Sequence, residues 1–338
     1  LTLPANFGVR SLARFDPELK RPYQLAFNVG VSHEILPGFA VTAEYFRSSF
    51  KNMIARNNVA LSVSDYTPVS IYNPMTGGTV TAYNLSTAKA SAVDLLDSND
   101  ADLERRYDGL ELNFNAKLPG GARLFGGTST ERTVSNACSA AANNPNLLAF
   151  CDQNQYDIPF LTSFKLAGTY PLPFYGVTFS GSMQALAGAL LGADALPYGV
   201  FTAGTGFDPS GNAAGPNGRS TYLLVTPSTN WTAATCKDSS KCTIGQRIIP
   251  GMTQAGLTVP LVAAQTEYAP RLLQVDFSLA KSFTIGGVRI NPKLDLFNAL
   301  NSDDYTGVTS TQFGAATYLR PSTILQGRII RVGADLKW

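Results

Sequence analysis

The last fifteen residues, Ile324 to Trp338, run Ile-Leu-Gln-Gly-Arg-Ile-Ile-Arg-Val-Gly-Ala-Asp-Leu-Lys-Trp, and over the last ten every charge falls on one alternate set of positions. Successive side chains of a strand point to opposite faces, so Ile330, Val332, Ala334, Leu336 and Trp338 share one face, and Ile329, Arg331, Gly333, Asp335 and Lys337 the other. A strand that crosses a membrane needs about 9–11 residues and turns only apolar groups to lipid. The stretch meets both conditions and ends on Trp338, an interfacial residue. A soluble edge strand can carry the same alternation, so the rest of the chain has to decide.

The pattern recurs through the chain. Tyr23, Leu25, Phe27, Val29 and Val31 alternate with polar or small residues, and after Leu36-Pro37-Gly38 so do Phe39, Val41, Ala43 and Tyr45. Leu110, Leu112, Phe114 and Ala116 lead through Leu118-Pro119-Gly120-Gly121 to a less regular strand over 122–133. Phe160, Thr162, Phe164, Leu166 and Tyr170 lead through 171–176 to Val177, Phe179, Gly181 and Met183. Leu273, Val275, Phe277, Leu279 and Phe283 turn at Thr284-Ile285-Gly286-Gly287 into Val288, Ile290, Leu294 and Leu296. Between these hairpins lie long segments at about 54–104, 134–158, 189–270 and 301–323, rich in Asn, Ser, Thr and Gly, with a short hairpin strand expected at Thr79 to Leu85. Residues 1–22 read as irregular.

Reversing direction at each connection puts all four short turns at one end of the strands and all four long segments at the other. That is the layout of an outer-membrane barrel, with short periplasmic turns and long extracellular loops. A sandwich has no reason to sort its connections so, and long structureless loops count against a compact soluble domain. Composition agrees: 15% of residues are charged, against roughly 25% in ordinary soluble domains, while mean hydropathy is +0.01. No run reaches the length of about eighteen apolar residues that a transmembrane helix needs. A net charge of +2 without a basic cluster indicates no nucleic-acid partner.

The fold class expected is therefore all-β, an antiparallel transmembrane β-barrel portion of about nine spanning strands. The first and last strands run the same way, and single-chain bacterial barrels have even strand counts. The chain is therefore expected to be the C-terminal part of a larger barrel, the alternative being a strand missed within 189–270. Cys138 with Cys151, and Cys236 with Cys242, read as two loop-closing disulfides of an oxidising compartment rather than free thiols. With His33 the one histidine, little is left for zinc.

The chain resembles the Oar-like TonB-dependent receptors. The resemblance is carried by Asp16-Pro17-Glu18-Leu19-Lys20-Arg21-Pro22-Tyr23, Tyr107-Asp108-Gly109-Leu110-Glu111, Leu124-Phe125-Gly126-Gly127 and Phe150-Cys151-Asp152-Gln153. Pro292 to Asn301 and Ile324 to Arg331 continue it. It implies one part of a barrel of about 22 strands, wide enough to need a plug. It implies energy taken from the TonB complex through a plug and an N-terminal domain that these 338 residues lack. The partners implied are outer-membrane lipid, the remaining part of the barrel, TonB through that plug, and a transported ligand of unknown identity. A structural or adhesive surface protein, or a passive porin, is the competing reading.

Nothing in the sequence indicates an enzyme or a cofactor. Glu44, Glu111, Lys117, Lys165, Asp276, Arg289, Lys293, Asp295, Arg331 and Asp335 are expected to face the lumen as a mixed-sign lining. His33 reads as an interfacial residue rather than a base. Asn301-Ser302-Asp303-Asp304 offers the oxygen ligands that calcium wants, but reads more simply as the solvated start of a loop. Tyr66, Tyr72, Tyr83, Phe201, Phe207, Tyr222 and Trp231 are aromatics of the long segments that could meet a ligand or pack their own loops. Tyr23, Phe39, Tyr170, Phe283 and Trp338 are expected near the short-turn side as a periplasmic aromatic girdle. By the resemblance, Trp338 also serves as the barrel-assembly signal.

Overall fold

Nine long strands form one antiparallel wall in a computed structural model that describes residues 13–73, 77–191, 222–225, 257–263, 265–313 and 315–338. They are β1 (Tyr23–Leu36), β2 (Phe39–Lys51), β3 (Glu104–Lys117), β4 (Arg123–Asn136), β5 (Leu161–Pro171), β6 (Val177–Leu186), β7 (Leu272–Lys281), β8 (Val288–Phe297) and β9 (Ile329–Lys337). Each pairs antiparallel with its neighbours in chain order. Phe283–Ile285 prolongs β7 in the same register, since Phe283↔Ile290 follows from Ala280↔Lys293. The interruption falls where the opposing strand carries Pro292, which has no N–H to donate to the ladder.

The four short connections lie at one end of this wall. Left-handed glycines make the reversals possible where a side chain would be strained, among them Gly38 (φ 81°) and Gly287 (φ 84°). The long segments all leave from the other end, and β1 and β9 run in the same direction. Among the described residues of 189–270, Tyr222–Val225 pairs with Leu257–Pro260 and not with the wall, so it adds no spanning strand.

Three expectations need correction. The terminal strand begins at Ile329, because Pro321–Ile324 pairs with Tyr305–Val308 inside the last long segment. Tyr23 stands opposite Lys51, at the long-segment end, because β1 starts there and runs towards the turn at Gly38. The stretch before β1 is not wholly irregular: Ala13–Phe15 pairs parallel with Leu95–Asn99, which also pairs antiparallel with Ile54–Asn58.

The long segments carry structure of their own. Tyr66–Tyr72 forms a hairpin with Thr79–Leu85. Ile71 and Ala82 of that hairpin pack with Leu257, Val259, Leu261 and Phe313, so three separate long segments share one buried cluster. A second cluster, Met53, Ala55, Leu103, Ala137 and Ala140, joins the bases of the first two segments. Most fully buried apolar side chains therefore lie in the cap over the wall; the wall strands leave theirs exposed, as the lipid-facing side of a barrel does. Burying a side chain such as Ile71 or Phe313 contributes ~1.5–3 kcal/mol.

Cys138 and Cys151 are bonded, with Cα atoms 4.9 Å apart. Closing a loop of this length contributes ~3 kcal/mol by restricting the unfolded chain. Cys138→Ser with Cys151→Ser is expected to make the segment between β4 and β5 cleavable by added protease while the wall stays intact, as read by mass mapping of the fragments. Cys236 and Cys242 lie outside the described residues.

Candidate functional site

The period-two geometry separates a polar face from an apolar one, and register fixes which residues share each. Glu44 stands directly opposite Glu111, Glu111 opposite Ser129, and Lys165 opposite Gly127 and Gln184. Asp276 is opposite Ser182, Asp295 opposite Ser278 and Arg331, and Asp335 opposite Asn291. By strand parity Lys117, Arg289 and Lys293 belong to the same set. All ten charged residues singled out from the sequence thus share one face of the sheet.

They do not act alike. Over β7–β9 they form ion pairs. Asp295 is 6% exposed, accepts the Ser278 hydroxyl at 2.7 Å and lies 2.7 Å from Arg331 Nη2. The Arg331 guanidinium stands 5.0 Å from the centre of the Phe297 ring, and Lys293 pairs with Asp335. Asp276 holds backbone rather than a cation, accepting the Asn298 N–H at 2.8 Å. Glu44 and Glu111 are like charges facing each other across a strand pair, an arrangement that weakens a sheet unless a cation or donor sits over it. Thr42, Glu111, Asn113, Asn115 and Lys165 line a depression there.

The end of β8 is held by residues whose work was not legible from composition. Asn298 (φ 47°, 2% exposed) donates from Nδ2 to the carbonyls of Ser302 and Gln326, each at 2.9 Å, and accepts the Ser302 N–H at 2.9 Å. Asn301 accepts the Arg328 N–H at 3.0 Å. Asp304 accepts the Leu273 N–H at 2.9 Å and the Ser302 hydroxyl. Asn301 Oδ1, the Ser302 hydroxyl and Asp304 Oδ2 thus fasten the chain, and no group of three metal-ligating His, Cys, Asp or Glu side chains occurs among the described residues.

The Ser302 hydroxyl and the Leu273 N–H hold the Asp304 carboxyl below the usual carboxylate range. A depressed folded pKa gives stability that is present above the unfolded value of about 4 and is lost as pH falls through the folded value. Protection of the Leu273 amide from hydrogen exchange is therefore expected to fall on acidification below about pH 4, and to be weakened at neutral pH in Asp304→Ala.

Gln153, fully buried, accepts the Ser135 N–H at 2.7 Å, while Asp152 caps the turn that follows through the Asn154 N–H at 3.0 Å. Asn146 grips the hairpin by the backbone of Tyr83, accepting its N–H and donating to its carbonyl, at 2.8 Å each. Tyr66 is half-buried, and burial pushes its phenol up from the ordinary value. Phe201, Phe207 and Trp231 lie outside the described residues. On the apolar face, His33 stands opposite Val41 near the first turn, and Phe39, Tyr170, Phe283 and Trp338 lie towards the short turns. Trp338 is 96% exposed.

A wall with one apolar and one polar face, turns sorted to one end and an ordered cap at the other defines an outer-membrane β-barrel protein. Residues 2–331 match the family described as "Outer membrane beta barrel domain", and the chain belongs to that family. Its place is the bacterial outer membrane. No curated protein matches the sequence. Among solved structures it is similar to the outer membrane transporter YddB from Escherichia coli, at 13% identity over 94% of this chain and 33% of that one, with a TM-score of 0.44. The FrpB iron transporter from Neisseria meningitidis is similar at 11% identity over 95% of this chain and 32% of its own, with a TM-score of 0.40. BauA, the ferric preacinetobactin receptor from Acinetobacter baumannii, follows at 11% identity over 93% and 29%, with a TM-score of 0.39. The chain thus spans about a third of the length of these proteins.

Proposed function

We propose that this chain supplies wall strands and surface loops to a TonB-dependent outer-membrane transporter of the Oar-like type, and that it is not itself an enzyme. The observation that carries the reading is the cap. Three long segments share a buried core above a polar, charge-lined wall, which suits a ligand entrance better than an open pore mouth. In this reading the ten charged residues line the lumen and meet the plug, the rest of the barrel closes between β1 and β9, and Trp338 is read by the assembly machinery.

The test uses the protein encoded by the complete gene, in outer membranes. It is expected to bind the periplasmic domain of TonB in pull-down and to leave liposomes impermeable to small sugars. Failure to bind TonB together with rapid sugar-driven swelling would replace transport by the passive porin. Failure of both would favour a surface anchor.

A further inference from the structure

The apolar face is not apolar throughout. At the long-segment end it carries Arg47 and Lys51 on β2, Arg106 on β3 and Arg132 on β4, with Arg271 just ahead of β7. Parity assigns the first four to this face, since Phe27 pairs with Arg47, Tyr23 with Lys51, Ser49 with Arg106, and Asp108 with Arg132. Glu104 and Asp108 are the acids beside them, so cations outnumber acids by five to two. Asp108 is shared by Arg47 (3.4 Å), Arg106 (3.0 Å) and the Tyr45 hydroxyl (2.8 Å). The Arg132 guanidinium lies over the Phe160 ring at 4.3 Å, and its buried Nε makes no hydrogen bond. Arg271 donates to the carbonyls of Thr162 (2.6 Å) and Ala185 (3.0 Å). Among the described residues, the basic side chains at the short-turn end of the same face of the wall strands are Lys281 and His33.

The height of this belt is set by the strands. From Phe39 to Arg47 is about 27 Å of strand, or roughly 20 Å along the barrel axis at the usual tilt, close to the ~25 Å apolar band of a membrane barrel. Phe39 marks the lower edge; Tyr23, Tyr45 and Phe160 supply aromatics at the upper edge. The arginines therefore stand where the outer-leaflet headgroups begin. Guanidinium forks match phosphate oxygens, and stacking on an aromatic ring leaves a guanidinium edge for such a ligand.

We propose that this belt binds the phosphates of the outer-leaflet glycolipid. Arg47, Arg106 and Arg132 occupy three adjacent strands, about 10 Å across, and Arg271 lies three strands further on. Cations spread this widely suit two phosphates at opposite ends of a disaccharide better than the single phosphate of a glycerophospholipid.

The test titrates the complete protein, purified in non-ionic detergent, with bis-phosphorylated lipid A and with its dephosphorylated form, scoring bound lipid by native mass spectrometry. The phosphorylated form is expected to bind roughly tenfold tighter. Arg47→Gln/Arg106→Gln/Arg132→Gln should abolish that preference, and the matching triple Lys variant should keep most of it. Equal binding of the two lipids to the unaltered protein would overturn the proposal, as would a preference undiminished in the Gln variant. Phosphatidylglycerol binding as tightly as bis-phosphorylated lipid A would overturn the glycolipid as occupant. Should the Gln variant fail to fold, the comparison on the unaltered protein still decides.

Discussion

Asp97→Ala is expected to unfold the three-stranded base of the first long segment while leaving the wall standing. Asp97 has a side chain with no exposed surface, and Arg56, 9% exposed, meets it with both Nε and Nη2 at 2.6 Å. The two residues face each other in register across Ile54–Asn58 and Leu95–Asn99, and the Asp97 carbonyl also accepts the Asp16 N–H at 2.9 Å. Removing one member of a buried pair strands the other charge, at a cost of about 3–5 kcal/mol. That exceeds what a small three-stranded sheet retains by itself. Hydrogen exchange of 54–58 and 95–99 in the purified protein should rise by orders of magnitude in the variant. The double variant Arg56→Met/Asp97→Leu should recover most of the protection, because an apolar pair removes the desolvation cost along with the attraction. If Asp97→Ala exchanges no faster than the unaltered protein, the ion pair does not hold the base together.

The second large effect belongs to Asn298→Ala. Three hydrogen bonds disappear, the carbonyls of Ser302 and Gln326 lose their donor, and alanine must take a left-handed backbone that asparagine tolerates better. Together these cost about 3–5 kcal/mol. Protease cleavage after the change is expected between Asn301 and Arg328, with β9 loosened from β8 and the heat-resistant band of the folded barrel lost on gels. Asn298→Asp, which keeps the acceptor but not the donor, should fall between the two. A cleavage pattern identical to that of the unaltered protein would show that the carbonyls at 302 and 326 do not depend on this side chain.

The wall was legible because a membrane strand has to obey a period-two rule that nothing else in the chain competes with. Loop sorting then followed from counting connections, and the polar-face set fell out of parity alone. What stayed hidden was the interior of the long segments. Their short strands are held by contacts between residues far apart, such as Ile71 with Leu257 and Phe313, which leave no local periodicity. Tyr23 sits at the long-segment end because β1 begins there, and an aromatic at a strand terminus does not by its type tell one membrane interface from the other. The outward arginines leave no apolar alternation to read, because Arg47 and Arg106 lie beyond the apolar runs that end at Tyr45 and begin at Leu110. The resemblance motifs, by contrast, have physical causes that only coordinates supply. Asn298 latches a loop, Gln153 props β4, and Gly127 lies where a Cβ would sit 2.5 Å from the Leu112 carbonyl.

The shared core of the cap also limits how this surface can change over generations. A substitution at Ile71 is felt at Leu257 and Phe313, which lie 186 and 242 residues further along the chain. The first, third and fourth long segments are therefore expected to change together: exchange of a single one between related genes brings together parts of a core that were never fitted to each other. The segment between β4 and β5 lies outside that cluster but is bound to the first segment through Met53, Ala55, Leu103, Ala137 and Ala140 and through Asn146 on Tyr83, so its freedom to diverge is confined to the residues away from those contacts.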